Sequence, residues 1–433
     1  MLSNHSLPNW LKKTLGKIAL IVSKIFGSGS LSKPDPVFLG FWKDIHGRAQ
    51  AENRPLYVLA PMADVTDCAF RKMINKYGKP DVTWTEFVSA DGLMRATPEG
   101  KSKLMRDLLY NVRDENDANN TVINERPIVA QLFSSNPEYM KQACKLVADL
   151  GYDGIDINMG CPDKGIEKQG CGSAMIKTPK KAQEIIRAAK EGAVRADGTR
   201  IPVTVKTRIG YNKNELETWL PALLEAGPAV ITLHARTRKE MSKVPARWEH
   251  VARAVEIRDA FFAKASANIK TNSATKSGAG SNGADSTLEK TLILGNGDVL
   301  SIQDGYEKCK ATGADGAMLG RAIFGNPWLF RNLVADSSVY VSDNAATAKG
   351  NGAPGPAYVP TIEEKLNAMV EHTQIFETHL GDIKNFAIMK KHYKAYVNGF
   401  DGAKELRMEL MEKVNTTADV KEIIEEFLKS KSK

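Results

Sequence analysis

The sequence predicts a (β/α)8 barrel, the TIM-barrel architecture, followed by a small C-terminal helical domain. Three observations carry this prediction. Eight short apolar runs, each followed by a helical pattern, recur between about residues 55 and 335. These runs are continuously apolar instead of alternating, as expected for strands of a parallel sheet covered by helices. Beyond a polar stretch at 336–360, helical spacing continues to the end of the chain. A doubly wound open sheet is the alternative; it more often has a glycine-rich turn after its first strand, and Ala60-Pro61-Met62-Ala63 is not one.

The strands are expected at 56–60, 82–87, 128–132, 154–158, 202–206, 230–234, 291–296 and 316–320. Between them, helices are expected at 67–77, 98–112, from Asn136-Pro137-Glu138 onward, 179–194, 214–226, 247–264 and 301–312, with a short one after Pro327. Asn136 is a good cap, with proline in the first turn. Residues 266–288 are rich in Ser, Ala, Asn, Gly and Thr and read as a disordered insertion; 336–360 reads as a linker. Helical patterns at 361–380, 383–396 and 402–429 make the domain at 361–433.

The composition is that of a soluble globular enzyme. Five scattered cysteines, with no Cys-x-x-Cys pair and no His/Cys cluster at zinc spacing, exclude a disulfide framework and point to no metal site. Of the net charge of +9, the five lysines of residues 1–34 supply more than half, so the charge permits nucleic acid without indicating it. Within the N-terminal extension, residues 1–50, Leu11, Leu15, Ile18, Val22, Ile25 and Phe26 share one helical face, with Lys13, Lys17 and Lys24 opposite. That run is too short and too charged to span a bilayer. A mitochondrial presequence, a membrane-surface helix and an accessory helix packed on the domain all fit it. A cytoplasmic location is expected, with mitochondria as the alternative through this tail.

In a barrel of this kind the working residues lie at the carboxyl ends of the strands. Those ends offer Pro61-Met62, Glu86, Gln131, Asn158 with Cys161, Lys206 with Arg208, His234 with Arg236, Asn296-Gly297-Asp298 and Gly320-Arg321. Burying so many amides and cations unpaired is costly, so they point to a convergent polar pocket. Asn296-Gly297-Asp298 and Gly320-Arg321, after the seventh and eighth strands, form a phosphate site of the kind this fold uses. Lys206 suits negative charge developing on a flat electron-accepting ring, and Gln131 offers a donor and an acceptor to a heterocycle edge. His234 reads either as a ligand contact or as a satisfied structural residue. Cys161, on the turn Gly160-Cys161-Pro162, is a reactive thiol at the rim or an inert turn residue; the glycine-bearing loop 163–178 after it reads as a lid.

The set Ala60-Pro61-Met62, Gln131-Leu132, Asn158-Met159-Gly160-Cys161-Pro162, Val205-Lys206-Thr207-Arg208-Ile209-Gly210, His234-Ala235-Arg236-Thr237, Asn296-Gly297-Asp298 and Gly320-Arg321-Ala322 resembles the tRNA-dihydrouridine synthases. The likeness runs in order from about residue 55 to 335, and more loosely to Leu406-Arg407. It implies FMN as cofactor, NADPH as reductant and uridine in tRNA as substrate, with no stable protein partner and no transmembrane segment expected. By matched position, Pro61, Met62 and Ala63 would line the flavin. Gln131, Lys206 and His234 would contact its ring and ribityl parts, and Asn296, Gly297, Asp298, Gly320 and Arg321 its phosphate. Cys161 would be the general acid, Asn158 and Arg208 would position the uracil, and Arg236 would lie near the RNA backbone or flavin. The lysines near 384–394 would hold RNA, or form a solvated helix face. Two positions depart from the family pattern: Ala235 stands where glycine is usual, and Cys171 where a small residue is usual.

An ordinary thiol, with a pKa of about 8.5, is mostly protonated at neutral pH and can donate without tuning. The neighbouring cations Lys206 and Arg208 leave a nucleophilic cysteine as the second possibility. Two competing functions remain: a flavin oxidoreductase of a free pyrimidine, resembling the dihydroorotate dehydrogenases, and a flavin-bound RNA-binding protein with dispensable catalysis.

Overall fold

The computed structural model describes residues 34–110, 124–274, 288–333 and 353–431. The amphipathic run at 11–26 lies outside them, as do most of the predicted linker and the later part of the predicted insertion.

The chain enters through helix α1 (Phe41–Ala51) and then alternates strand and helix. The order is β1 (Leu56–Leu59), α2 (Cys68–Tyr77), β2 (Thr83–Ser89), α3 (Ala90–Arg95), α4 (Pro98–Arg106), β3 (Ile128–Phe133), α5 (Pro137–Asp149) and β4 (Gly154–Met159). There follow α6 (Lys164–Lys168), a 3-10 turn (Gly172–Lys177), α7 (Pro179–Gly192), β5 (Val203–Arg208), α8 (Leu216–Glu225), β6 (Val230–His234) and α9 (Glu249–Ala274). The barrel ends with β7 (Leu292–Asn296), α10 (Ile302–Thr312) and β8 (Gly316–Leu319). All eight strands are parallel, in the order β1-β8-β7-β6-β5-β4-β3-β2. A bridge between Val58 and Val82, with the Leu59 N–H donating to the Val82 carbonyl at 3.1 Å, joins the two ends. The sheet therefore closes, as the eight apolar runs predict.

The elements form where local chemistry favours them. The side chain of Asn136 accepts from the N–H groups of Glu138 and Tyr139, capping α5 with Pro137 in its first turn. The strands are buried along nearly their whole length, because helices cover the outside and side chains fill the inside.

Helix α1 is a departure from the sequence reading, which places residues 1–50 in an extension. Trp42, Ile45 and Ala49 are buried in one cluster with Leu56, Val58, Trp84, Val129, Val230, Leu292 and Met318. Leu56, Trp84, Val129, Val230 and Leu292 lie at the amino-terminal parts of their strands, so α1 plugs the bottom of the barrel. The Trp42 and Trp84 rings lie 5.8 Å apart.

Three further differences appear. A short helix, α3, capped by Ser89, precedes the predicted helix near 98. Helix α9 runs on to Ala274, so the segment read as a disordered insertion begins as a continuation of that helix. Its first residues Ser266-Ala267-Asn268 have no glycine or proline to stop it. In the third, the stretch 402–429 is two helices, α13 (Ala403–Lys413) and α14 (Thr417–Lys431), separated at Val414-Asn415-Thr416, where Asp419 accepts from the N–H groups of Asn415 and Thr416.

These two, with α11 (Ile362–Leu380) and α12 (Ala387–Tyr396), make the helical domain. Thr361 and Glu364 form a reciprocal capping box at the start of α11. The domain does not pack on itself alone. Cys68, Ala69 and Met73 of α2 and Trp328 after β8 share one cluster with Leu366, Met369, Phe376, Met389, Tyr393 and Leu410. The His372 and His392 rings meet edge to face, 4.7 Å apart, at this junction beside Phe70.

Trp42 is wholly buried, so Trp42→Ala leaves a cavity under the barrel. We expect a loss of about 3–5 kcal/mol, read as a lower midpoint in urea unfolding.

Candidate active site

The strands turn their polar residues inward at the carboxyl ends, in a register that sets them side by side. Gln131 lies opposite Asp156, Asp156 opposite Thr204, Asn158 opposite Lys206, Arg208 opposite His234, and His234 opposite Asn296. A chain of hydrogen bonds links the first of these. Thr204 Oγ1 donates to Asp156 Oδ1 at 2.6 Å, and Gln131 Nε2 donates to Asp156 Oδ2 at 2.6 Å. Asn158 Nδ2 then donates to Gln131 Oε1 at 3.1 Å. Burial raises the Asp156 carboxyl to about 6, against the donors that favour its charged form.

Asn158 in turn sets the Cys161 turn. Its Oδ1 accepts from Gly160 N at 3.1 Å and Cys161 N at 2.9 Å. Both ends of this nearly buried amide are therefore occupied within the protein. Arg208 holds the same turn from the other side: its Nε donates to the Gly160 carbonyl at 2.7 Å, and Nη1 to the carbonyls of Thr237 and Met241 at 3.2 and 3.0 Å. Asn158 Oδ1 and Arg208 Nε thus hold the turn that carries Cys161, at the mouth where the sequence reading has these two residues position a uracil. Cys161 itself is half-buried at the rim, and burial pushes its thiol up, keeping it protonated.

The loop after Cys161, read from its glycines as a lid, is well built. It folds as α6 and the 3-10 turn, with Ile166, Cys171, Ser173, Ala174, Met175 and Ile176 buried. Gly172, at φ +60°, lies so near the Cys161 carbonyl that a Cβ there would approach its oxygen to 2.7 Å.

Beside Asn158, on β5, Lys206 Nζ reaches across the mouth and donates to Asn296 Oδ1 at 3.1 Å, and Asn296 Nδ2 donates to the Met318 carbonyl at 2.9 Å. Burial, with help from Arg208, lowers the Lys206 ammonium to about 8. Burial and the nearby Lys206, Arg208, Arg236 and Arg321 hold His234 well below its ordinary value, so its ring is neutral. Arg236 Nη1 lies 3.0 Å from His234 Nε2; since a guanidinium only donates, Nε2 is the acceptor and the ring proton sits on Nδ1.

Arg236, which the sequence reading sets near the RNA backbone or the flavin, is almost fully enclosed, binding the Val244 carbonyl at 2.6 Å and the Asp298 carboxylate. Asp298 also accepts from Arg321 at 2.6 Å and from Ala246 N at 2.8 Å. Gly297 has φ +116°, and a Cβ there would meet Ala246 at 2.8 Å and the His234 ring at 3.0 Å. Arg321 points outward from the end of β8 with its side chain largely exposed. At the β1 turn, Met62 N donates to Thr66 Oγ1 at 2.9 Å; Pro61 and Met62 are half-buried and Ala63 is exposed. Gly320, at the end of β8, faces Ala60 and Met62. The predicted residues thus come together at one mouth. Among the described residues no group of three or more His, Cys, Asp or Glu side chains could hold a metal ion, and no helix is long and apolar enough to cross a membrane.

The match to known proteins follows these residues. The family model for dihydrouridine synthase (Dus) matches residues 58–286 and 285–432. The chain belongs to the dihydrouridine synthase family. A probable tRNA-dihydrouridine synthase of Staphylococcus epidermidis is 33% identical over 376 residues, covering 86% of this chain and 94% of that one. Probable tRNA-dihydrouridine synthase 2 of Bacillus subtilis is 30% identical over 389 residues, covering 89% and 96%. The solved histamine dehydrogenase of Rhizobium sp. 4-9 aligns at a TM-score of 0.41 and 13% identity, over 64% of this chain and 45% of that one, which is too distant to bear on the argument.

The family likeness does not explain the lysines of the helical domain. Lys384 Nζ bonds Glu86 at 2.5 Å and Asp107 at 3.3 Å, sealed between the helical domain and the barrel rim. Lys390 donates to the Met411 carbonyl at 2.7 Å, and Lys391 faces Asp64 at 3.5 Å. His392 is buried; Lys394 is exposed.

Burial raises the Glu86 carboxyl to about 7, with Lys384 opposing. A carboxyl whose folded value lies above its unfolded one favours folding at low pH, and that contribution is lost as pH rises through the folded value. Removing Lys384 strengthens this dependence. Lys384→Ala is expected to cost about 3–5 kcal/mol at pH 8, where Glu86 is left as an uncompensated buried charge, and clearly less at pH 6. Urea unfolding at the two pH values measures the difference.

Proposed function

We propose that this chain reduces the C5–C6 bond of uridine in tRNA to dihydrouridine, with FMN as cofactor, NADPH as reductant and Cys161 as proton donor. The observation that carries this reading is the Cys161 thiol: it stands at the end of β4, protonated, on a backbone held from both sides, in a chain that belongs to this family.

The mouth fits an anionic, flat cofactor. Lys206, Arg208, Arg236 and Arg321 all weigh on His234, while Asp156 and Asp298 are the carboxylates hydrogen-bonded within the same group of residues, so positive charge is in excess. Asn296, Gly297, Gly320 and Arg321 would hold the phosphate, Gly297 through backbone that has no room for a side chain between Ala246 and His234. Asp298 would act there by orienting Arg321. Pro61, Met62 and Ala63 would line the ring from the β1 turn, and Gln131, Lys206 and neutral His234 would contact its polar edge and ribityl chain. When bound, FMN supplies hydride to one carbon of the pyrimidine double bond. Cys161 Sγ–H gives its proton to the other carbon, and a thiol pushed up by burial holds that proton at neutral pH. Asn158 and Arg208 keep the thiol's backbone in place, and Arg236 fixes His234 and Asp298. Lys206 sets a positive charge against the side of the pocket where negative charge develops.

A uracil within a stacked stem has its face covered, so it must be splayed out to reach this mouth. The exposed lysines at 164, 168, 213, 239 and 243 lie on the rim loops after β4, β5 and β6 and suit the RNA backbone. The helical domain, fastened to the rim at Glu86, gives a second surface to a large substrate, which a free pyrimidine does not need.

The test is to map dihydrouridine in tRNA from cells lacking this protein, with cytosolic and mitochondrial pools kept apart; unchanged tRNA in both overturns the proposal. For the purified protein, Cys161→Ala should keep bound flavin and tRNA binding but lose about 10²–10⁴-fold in uridine reduction. Full activity in that variant removes the proton-donor role.

A further inference from the structure

We propose that Glu167, clamped by Arg238, is a positioning residue for the Cys161 thiol, acting through Ser173. This inference rests on the reading of Cys161 as proton donor.

Cys161 is held at both of its peptide groups. Its N–H is fixed by Asn158 and the carbonyl before it by Arg208. Its own carbonyl is fixed by Ser173, whose N–H donates to it at 2.9 Å. The Ser173 hydroxyl lies 2.9 Å from the same carbonyl and 2.8 Å from Glu167 Oε1. One hydroxyl proton faces two acceptors, and an ionised carboxylate is the stronger. Glu167 is ionised: burial pushes its carboxyl up, but hydrogen bonds from Arg238, Ser173 and Tyr211 outweigh this and hold it below its ordinary range. The hydroxyl therefore turns to Glu167, and Ser173 is pinned with its N–H aimed at Cys161.

Glu167 is anchored from a different strand. Arg238 Nε donates to its two oxygens at 2.9 and 3.0 Å, and Nη2 donates to Oε2. Arg238 N also bonds the Gly210 carbonyl at 2.9 Å, and Lys239 N the Tyr211 carbonyl at 2.9 Å. The Arg238 guanidinium lies over the Tyr211 ring, 5.3 Å from its centre. Glu167 thus joins the loops after β4, β5 and β6 at one carboxylate. The close approach of Gly172 to the Cys161 carbonyl leaves little slack between this strap and the thiol-bearing residue. A proton donor gains rate from being held in line with its target carbon, and a misplacement of about 1 Å can cost about 10²-fold.

The experiment uses the flavin-loaded protein with the flavin pre-reduced, and follows one turnover of uridine reduction in tRNA. In parallel, alkylation of Cys161 by iodoacetamide is timed by mass spectrometry. In Glu167→Gln and Arg238→Lys the single-turnover rate is expected to fall about 10- to 100-fold while tRNA affinity stays within about twofold. Reduction of the flavin by NADPH is unchanged, and Cys161 alkylates several-fold faster. The double variant is no slower than either single one, since both break the same strap. Ser173→Ala removes only the hydroxyl and, if either first variant fails to fold, decides the matter on the same readouts. Wild-type turnover and wild-type alkylation in folded variants overturn the proposal. If the unaltered protein does not reduce tRNA, the proposed function fails, while the alkylation rates still report whether the strap holds Cys161.

Discussion

One buried carboxylate organises the mouth of the barrel. Asp156 points inward from the middle of β4 and draws donors from both neighbouring strands, Gln131 on β3 and Thr204 on β5. A charge there is costly without partners, so those partners are fixed in turn. Gln131, once oriented, presents its carbonyl oxygen to Asn158, and Asn158 presents its own to the turn of Cys161. A chemically active thiol on a loop is thereby tied to the most rigid part of the fold. Charge at the other side of the mouth follows similar logic: Asp298 gathers Arg236 and Arg321, and Arg236 in turn decides which nitrogen of His234 carries a proton.

Much of this was legible in the sequence. The eight strands were readable because each is a continuous apolar run, which a covered parallel strand requires. The site residues were readable because strand ends are positions with a known orientation, and unpaired amides and cations stand out there. The short helix α3 was not readable, since its six residues carry less than two turns of pattern. Helix α1 was masked by the basic tail before it, although Trp42 and Ile45 are spaced to share a face. Asp156 was missed, although a lone acid in an apolar run is a signal that could have found it. Glu167, Ser173 and Arg238 gave no periodic signal; they are ordinary polar residues on loops, joined only by tertiary folding. Lys384 shows the same difficulty. In sequence it belongs to a basic cluster, yet its partner Glu86 lies almost three hundred positions earlier.

The helical domain is joined to the barrel by two kinds of contact. One is apolar: α2 gives its outer face to the cluster formed by α11, α12 and α13. The other is ionic, at Lys384, close to the mouth. The apolar contact supplies cohesion, and the ionic one pairs two buried charges across the junction, so that separating the parts there would leave Glu86 uncompensated. A substrate gripped by both parts meets surfaces already set against each other.

The shared cluster also has a meaning for how the protein is made. Helix α2 is made well before the residues that cover its outer face, which apart from Trp328 come mostly from Leu366 onward. At about 5–20 residues per second, that face stays bare for a time on the order of tens of seconds. During this interval Cys68, Ala69 and Met73 are an apolar surface on a barrel otherwise able to close. The helical domain therefore completes the outer surface of the barrel as well as adding one of its own.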